Sequence, residues 1–215
     1  QGSYIFHCQY YLDPISQDDA VFKKEYVQYI EDLSEPYKAV ARYITVDPAI
    51  SESKDADWSV IMVTAVDSEK RRYVERIVRE HVTPFKLIDK LFNVAQDTPL
   101  LKKIGIEAVA YQKMLIYAMK DEMRRRGIYL PLQELKADKD KIRRAMMIQP
   151  AWENGDIYFH RAMADFEQEL AEFPYAKHDD QVDCLSYTEQ LMKPYSKPTK
   201  AREYTYTPAN KTTNY

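Results

Sequence analysis

The sequence predicts an α/β domain built on a mixed β-sheet with helices packed against it. Three strand-like segments between residues 37 and 82 are separated by short polar stretches, which is typical of an antiparallel meander. After residue 83, helical and strand-like segments alternate, which favours parallel strands joined through helices. A length of 215 residues with 45% apolar content suits one sizeable domain with extensions, or two small ones.

The meander consists of the segments YKAVARYITVDPA, WSVIMVTAVD and RRYVERIVREHV. Its first strand should end at Asp47, because Pro48 has no N–H to donate to a neighbouring strand. A polar loop, ISESKDAD, follows this strand, and the turn DSEKR joins the second strand to the third. A carboxylate is thereby placed at the carboxyl end of the first strand.

The alternating part of the domain begins with a helix over TPFKLIDKLFNVAQ, where Thr83 and Pro84 have the residue types of an N-cap and a first turn. KKIGIEAVAY predicts a strand that carries Glu107, and QKMLIYAMKDEMRRRG predicts an amphipathic helix that ends at Gly127. IYLPLQEL predicts a further strand.

The last third of the domain predicts a short helix and then a β-hairpin within DKDKIRRAMMIQPAWENGDIYFH, turning at Glu153-Asn154-Gly155. Helices should follow over MADFEQELAEFP and over residues 179–192. The domain is therefore predicted over residues 37–195. Residues 1–36 indicate an extended, aromatic-rich leading segment with a short helix, and residues 196–215 indicate a disordered tail.

Composition excludes several classes of protein. The net charge is −3, from 31 basic and 34 acidic residues, so any contact with a polyanion must be local. Cys8 and Cys184 are too few for a disulfide framework and too far apart for a zinc site, which favours a reducing, cytoplasmic setting. The sequence has no apolar run long enough for a membrane span and no signal-peptide pattern at its start.

Four carboxylates are candidates for a metal site. Asp47 and Glu107 lie on strands that can be neighbours in a mixed sheet, and Asp180 and Asp183 share one helix face through their i, i+3 spacing. Converging carboxylates repel one another and raise each other's pKa unless a cation compensates. Mg²⁺ prefers oxygen ligands, and two such ions about 4 Å apart promote phosphodiester hydrolysis.

Each of these residues also has a simpler interpretation. An Asp before Pro often forms a turn, and a Glu in an apolar strand can face water at a sheet edge. Asp179 and Asp180 can cap the last helix, where acidic groups suit the helix dipole. The simpler interpretation of the whole cluster is a solvated acidic face.

The motifs VDPA with DADWSVIMV, IGIEAVAYQ, KIRRA with ENGDIYF, and HDDQVDCLSY occur in this order between residues 37 and 190. Together they resemble the nuclease domain of the large terminase subunit, the DNA-packaging motor of tailed bacteriophages. The resemblance implies an RNase H-like fold, which Holliday-junction resolvases share. QYYLDPIS with VFKKEY similarly resembles the stretch that joins the motor's ATPase domain to its nuclease domain.

The resemblance also implies roles for particular residues. Asp47 would bridge two Mg²⁺ or Mn²⁺ ions, Glu107 would be the second acidic ligand, and Asp180 or Asp183 would complete the site, with Asp180 favoured as the catalytic ligand and Asp183 close to it. Two further residues, Asp179 and His178, would surround these ligands. Lys141 and Arg144 match a basic pair that would contact DNA phosphates, and the alternative is an ordinary solvated helix face. The hairpin around Gly155 would lie where the family places a DNA-contacting hairpin.

The function that the resemblance implies is metal-dependent endonucleolytic cleavage of double-stranded DNA concatemers during viral genome packaging in the host cytoplasm. Its partners would be the terminase ATPase domain, the small terminase subunit and the portal. No G-x-x-x-x-G-K-[ST] phosphate loop occurs in the sequence, so this chain would not drive translocation. Two alternatives stay open: a resolvase-like nuclease of the same fold that acts on branched DNA, and a non-catalytic module that docks on the motor or portal.

Overall fold

The computed structural model of the chain describes residues 20–31, 37–49, 58–107, 110–135 and 140–192. Cys8, the loop at 50–57 and the predicted tail at 196–215 lie outside the described residues. After a short 3-10 helix at Lys24–Tyr26, the elements run in this order: β1 (Gln28–Ile30), β2 (Ala39–Asp47), β3 (Ser59–Asp67), β4 (Arg72–Glu80), α1 (Pro84–Gln96), β5 (Leu101–Glu107), α2 (Ala110–Arg126), β6 (Leu132–Leu135), α3 (Lys141–Ala145), α4 (Gln149–Glu153), β7 (Ile157–His160), α5 (Ala164–Glu172) and α6 (Asp180–Met192).

The strands form one mixed sheet in the order β1-β7-β4-β3-β2-β5-β6. Strands β2, β3 and β4 make the predicted antiparallel meander, and β5 and β6 add to it in parallel, β5 alongside β2. On the other side, β7 and β1 extend the sheet in parallel beyond β4. The mixed sheet predicted from the sequence is confirmed.

Helices cover both faces of the sheet, and β3 shows how the two faces are divided. All of β3 is buried, and its residues 60–63 alternate between two hydrophobic clusters. Val60 and Met62 pack with α4, α5 and α6, whereas Ile61 and Val63 pack with α1 and α2 on the opposite face. In the described part of the chain, no helix is both long enough and apolar enough to cross a membrane.

Two helix ends that the sequence predicted are confirmed: the start of α1 and the end of α2. Thr83 caps α1 by accepting a hydrogen bond from the N–H of Lys86, and Pro84 occupies the first turn. Gly127 follows the last residue of α2 with a positive φ of 66°, a conformation that glycine adopts without steric cost.

The predicted β-hairpin at Glu153-Asn154-Gly155 is wrong. Residues Gln149–Glu153 form α4, and Gly155, at a φ of 71°, ends that helix before β7 begins. An Asn-Gly pair suits a helix C-terminus as well as a hairpin turn. The fully buried Trp152 packs against the sheet from this helix, and β7 pairs in parallel with β1 and β4.

The predicted start of the domain at residue 37 also needs correction. Strand β1, at residues 28–30, pairs with β7, and Phe22 is buried in the same hydrophobic cluster as Trp152 and Phe173. Part of the segment that we assigned to a leader therefore belongs to the sheet and its core. The sequence understated it because three residues carry too little periodicity to identify a strand.

Gly105 in β5 is closely surrounded by the side chains of Leu135 from β6 and Leu191 from α6. A Cβ at Gly105 would lie 2.7 Å from Leu135 Cδ1 and 3.0 Å from both δ-carbons of Leu191. We expect Gly105→Ala to lower the free energy of unfolding by about 1–3 kcal/mol, because these side chains must move. Denaturant unfolding of the wild type and of Gly105→Ala measures this difference in the free energy of unfolding.

Leu135→Ala supplies the control for this prediction. In a double-mutant cycle the two substitutions should be strongly non-additive, since the new methyl group takes space that Leu135 vacates. Additive effects would show that crowding at Gly105 is not the cause.

Candidate metal centre

Two strands bring the first pair of carboxylates together at their carboxyl ends, which lie along one edge of the sheet. Asp47 is the last residue of β2 and Glu107 is the last residue of β5. The two strands are parallel neighbours, with Val46 paired to Ile106 one residue earlier. The expectation that these strands are adjacent is therefore confirmed, and both carboxylates lie at the same edge.

The first turn of α6 brings the second pair of carboxylates to this edge. Helix α6 begins at Asp180 and packs across β2 and β3. The Sγ of Cys184 lies 3.9 Å from the carbonyl oxygens of Thr45 and Val60, so the helix start sits directly over the end of β2. Asp180 and Asp183 are one turn apart on this helix, and Asp180 is buried.

A buried carboxylate from α5 holds the start of α6 in place. Glu169 accepts hydrogen bonds from the N–H groups of Gln181 and Val182, at 2.7 and 2.9 Å, and from the side-chain amide of Gln181 at 2.7 Å. Burial raises the pKa of Glu169, although these hydrogen bonds oppose the shift. Sequence analysis missed Glu169, because a cap supplied from another helix has no local spacing signal.

The charges of the four carboxylates influence one another. The pKa of Asp47 is raised well above its usual range, first by burial and then by the charges of Asp183, Asp180 and Glu107. Arg144 acts in the opposite direction. Burial also raises the pKa of Asp183, and its contact with Arg144 opposes this shift. The cluster therefore has an excess of negative charge that favours a cation.

Arg144 and Tyr187 bind two of the four carboxylates. The guanidinium of Arg144 forms a two-pronged ion pair with Asp183, at 2.7 Å from Nη2 to Oδ2 and 3.3 Å from Nε to Oδ1. It also lies 5.3 Å from the centre of the Tyr187 ring. Tyr187 donates a hydrogen bond of 2.6 Å from its hydroxyl to Glu107 Oε1. Sequence analysis missed Tyr187, which lies on α6 one turn beyond Asp183.

The remaining predicted residues lie around the cluster. Asp179 is 2.5 Å from the Nζ of Lys141, whose side chain is 45% exposed. His178 lines a neighbouring cleft together with Trp58 and Arg79. Arg144 lies inside the cluster rather than on the surface, since its side chain is only 10% exposed.

The domain model that matches residues 44–190 is the terminase RNase H-like domain. The match spans well over half of the chain and includes all four carboxylates. The chain belongs to the terminase RNase H-like domain family.

Solved structures agree with this membership of the terminase family. The large terminase nuclease of thermophilic phage G20c with bound magnesium superposes with a TM-score of 0.57 at 16% identity, covering 78% of this chain and 94% of that one. The human cytomegalovirus terminase nuclease domain, soaked with Mn and inhibitor-bound, has a TM-score of 0.58 at 10% identity, covering 81% and 96%. At such identities the likeness establishes the fold, which is that of a terminase nuclease domain.

The large terminase of a second thermophilic bacteriophage is also similar, with a TM-score of 0.57 at 13% identity over 80% of this chain. This chain spans only 44% of that longer protein. A comparison with curated proteins found no match.

The donor set of this terminase domain suits a hard divalent cation, since its four members offer only carboxylate oxygens. Within the described ranges, no group of three or more His, Cys, Asp or Glu side chains is arranged to hold a metal ion. Asp183 accepts two hydrogen bonds from Arg144 and is thereby engaged by a cation of the protein itself. The four carboxylates thus suit such an ion by the chemistry of their oxygens, and in the described part of the structure they are not arranged around one.

Proposed function

We propose that this domain is a divalent-metal-dependent endonuclease that cleaves double-stranded DNA. The observation that carries the proposal is the convergence of Asp47 and Glu107, at the ends of two neighbouring strands, with Asp180 and Asp183 in the first turn of α6. Mutual repulsion among converging carboxylates is a cost to folding that a bound cation offsets. The G20c nuclease with bound magnesium and the Mn-soaked cytomegalovirus domain, which share the fold, support the choice of cation.

In the proposed site, these four carboxylates hold Mg²⁺ or Mn²⁺, with Asp47 central because it has a neighbouring carboxylate on both β5 and α6. When bound, two such ions supply a Lewis acid and a nucleophilic water for phosphodiester hydrolysis. Tyr187 orients Glu107 through its hydroxyl, and Glu169 holds the first turn of α6.

DNA contact is proposed for Lys141, whose exposed side chain lies beside Asp179 at the rim of the cluster. A local cation of this kind is compatible with the net charge of −3, because phosphate contact needs only a local basic group. The packaging role is part of the same proposal: cleavage of concatemers in the host cytoplasm, together with an ATPase domain, a small terminase subunit and a portal.

Plasmid nicking in Mg²⁺, in Mn²⁺ and in EDTA tests the proposal. Cleavage should occur with either ion and stop in EDTA, on linear and supercoiled DNA alike. Equal cleavage in EDTA would refute metal dependence. A strong preference for branched DNA would favour the resolvase-like alternative, and a folded protein inactive with both ions would favour the docking module.

Tyr187→Phe removes the hydrogen bond to Glu107 and keeps the buried ring. We expect metal affinity to fall about tenfold, because partners that orient metal ligands typically affect affinity by 10–100-fold. The free energy of unfolding should fall by only about 1 kcal/mol. Calorimetric titration with Mn²⁺ and thermal unfolding measure the two effects.

Tyr29→Phe is a matched control for this prediction, because Tyr29 donates a similar hydrogen bond of 2.8 Å to Glu167 from β1, which lies four strands away from β2 in the sheet. Its metal affinity should equal that of the wild type. Equal losses in the two variants would remove the special role of Tyr187.

A further inference from the structure

Arg144 occupies an unusual place for a residue of a surface helix. Its short helix, α3, packs against α6, and its guanidinium reaches inward to Asp183 with two hydrogen bonds. The side chains of the pair are 10% and 13% exposed. Removing a guanidinium from water is costly unless it is paired, so the carboxylate cluster is what keeps Arg144 in this position.

The contacts of Arg144 extend over much of the cluster. It binds Asp183 directly and lies against the ring of Tyr187. Tyr187 in turn donates to Glu107. Arg144 therefore supplies positive charge at the place where the proposed function puts a divalent cation.

We propose that Arg144 is the internal counter-ion of the metal-free site and that it competes with the divalent cation for Asp183. This inference rests on the proposed function, since it takes Asp183 to be a metal ligand. Loading the site then exchanges one cation for another: the ion displaces the guanidinium from Asp183. Arg144 thereby stabilises the fold before the site is loaded and weakens metal binding, so that occupancy depends on the available ion concentration.

A purely supporting role for Arg144 predicts the opposite effect on metal binding. An arginine that only oriented Asp183 for the ion would leave a disordered ligand when removed, and affinity would fall. A competing counter-ion, once removed, leaves the carboxylates unopposed, and affinity rises. The sign of the change therefore separates the two roles without any measurement of cleavage.

The experiment is a calorimetric titration of the DNA-free chain with Mn²⁺, comparing wild type with Arg144→Gln. We expect the Kd to fall about tenfold or more, because a unit charge within a few ångströms of a partly buried site shifts ionic equilibria by at least about that factor. Arg143→Gln is the matched control: Arg143 is the exposed neighbour on the same helix, and its loss should leave the Kd unchanged.

Thermal unfolding gives a second readout from the same proteins. In EDTA, Arg144→Gln should have a lower Tm than wild type, because four carboxylates then face one another without this cation. Saturating Mn²⁺ should raise the Tm of Arg144→Gln by more than it raises that of wild type, since tighter binding stabilises the folded state further.

If Arg144→Gln does not fold, the wild type alone still decides the question by NMR of the Arg144 side chain. The Nε–H signal should lose its hydrogen-bonded shift and exchange protection as Mg²⁺ saturates the site. A signal unchanged at saturation would overturn the inference.

The outcomes separate the inference from the proposed function. Metal binding by wild type with an equal or weaker affinity in Arg144→Gln overturns the inference and leaves the nuclease proposal standing. No binding by either protein refutes the metal site and the inference together. Binding by Arg144→Gln alone, or more tightly than wild type, supports the competition.

Discussion

Asp47→Asn should abolish metal-dependent DNA cleavage, reducing the rate about a thousandfold or more. Asparagine keeps the shape of the side chain and removes the charge that the proposed ions need. Asp47 ends β2 beside the end of β5 and near the start of α6, which makes it the central carboxylate of the proposed site. Plasmid nicking in Mn²⁺ over a time course measures the loss.

The fold should survive this substitution. Burial, and then repulsion from neighbouring carboxylates such as Asp183 and Asp180, raises the pKa of Asp47, so a neutral side chain there removes an unfavourable buried charge from the metal-free protein. We therefore expect a Tm in EDTA at or above that of wild type. Asp121→Asn is the control, because Asp121 is 79% exposed on α2 and should retain full activity. Substantial cleavage by a folded Asp47→Asn variant would disprove the assignment.

Glu169→Ala should produce the largest loss of stability among the residues near the site. The substitution leaves the N–H groups of Gln181 and Val182 without their acceptor in a buried position and removes an anion from the N-terminus of α6. We expect the free energy of unfolding to fall by about 2–4 kcal/mol. Urea denaturation followed by circular dichroism measures this change.

Two further variants sharpen the test of Glu169. Glu169→Gln keeps one acceptor oxygen and should lose less than half as much stability as Glu169→Ala. Glu172→Ala, an exposed position on the same helix, should change stability by less than about 0.5 kcal/mol. Metal affinity should fall in Glu169→Ala because Asp180 and Asp183 lose their support. A stability loss no greater than that of Glu172→Ala would show that the cap is not needed.

The amino-acid sequence was enough to predict the mixed sheet and the strands and helix on which the four carboxylates lie. Asp47 was placed at a strand end by the adjacent Pro48, and β5 was predicted within the segment KKIGIEAVAY, which carries Glu107. The i, i+3 spacing of Asp180 and Asp183 put them on one helix face. These inferences succeeded because each depends on residues within a few positions of one another.

The errors arose where one local signal suits two structures. Glu153-Asn154-Gly155 suits a hairpin turn and a helix end equally, and the choice was made by Trp152, which buries its ring against the sheet from α4. Strand β1 is too short to be identified by periodicity, and its pairing with β7 defines it. In both places, packing with distant residues decided between local alternatives.

The sequence by itself determined which residue types stand near the ends of β2 and β5 and in the first turn of α6, and hence that these carboxylates were candidates for one cluster. Only the tertiary structure decided what controls that cluster. Tyr187 meets Glu107 across 80 positions, and Arg144 meets Asp183 across 39. The physical reason is that spacing along the chain fixes neighbours only within one helix or strand, whereas contacts between elements depend on how the whole core packs.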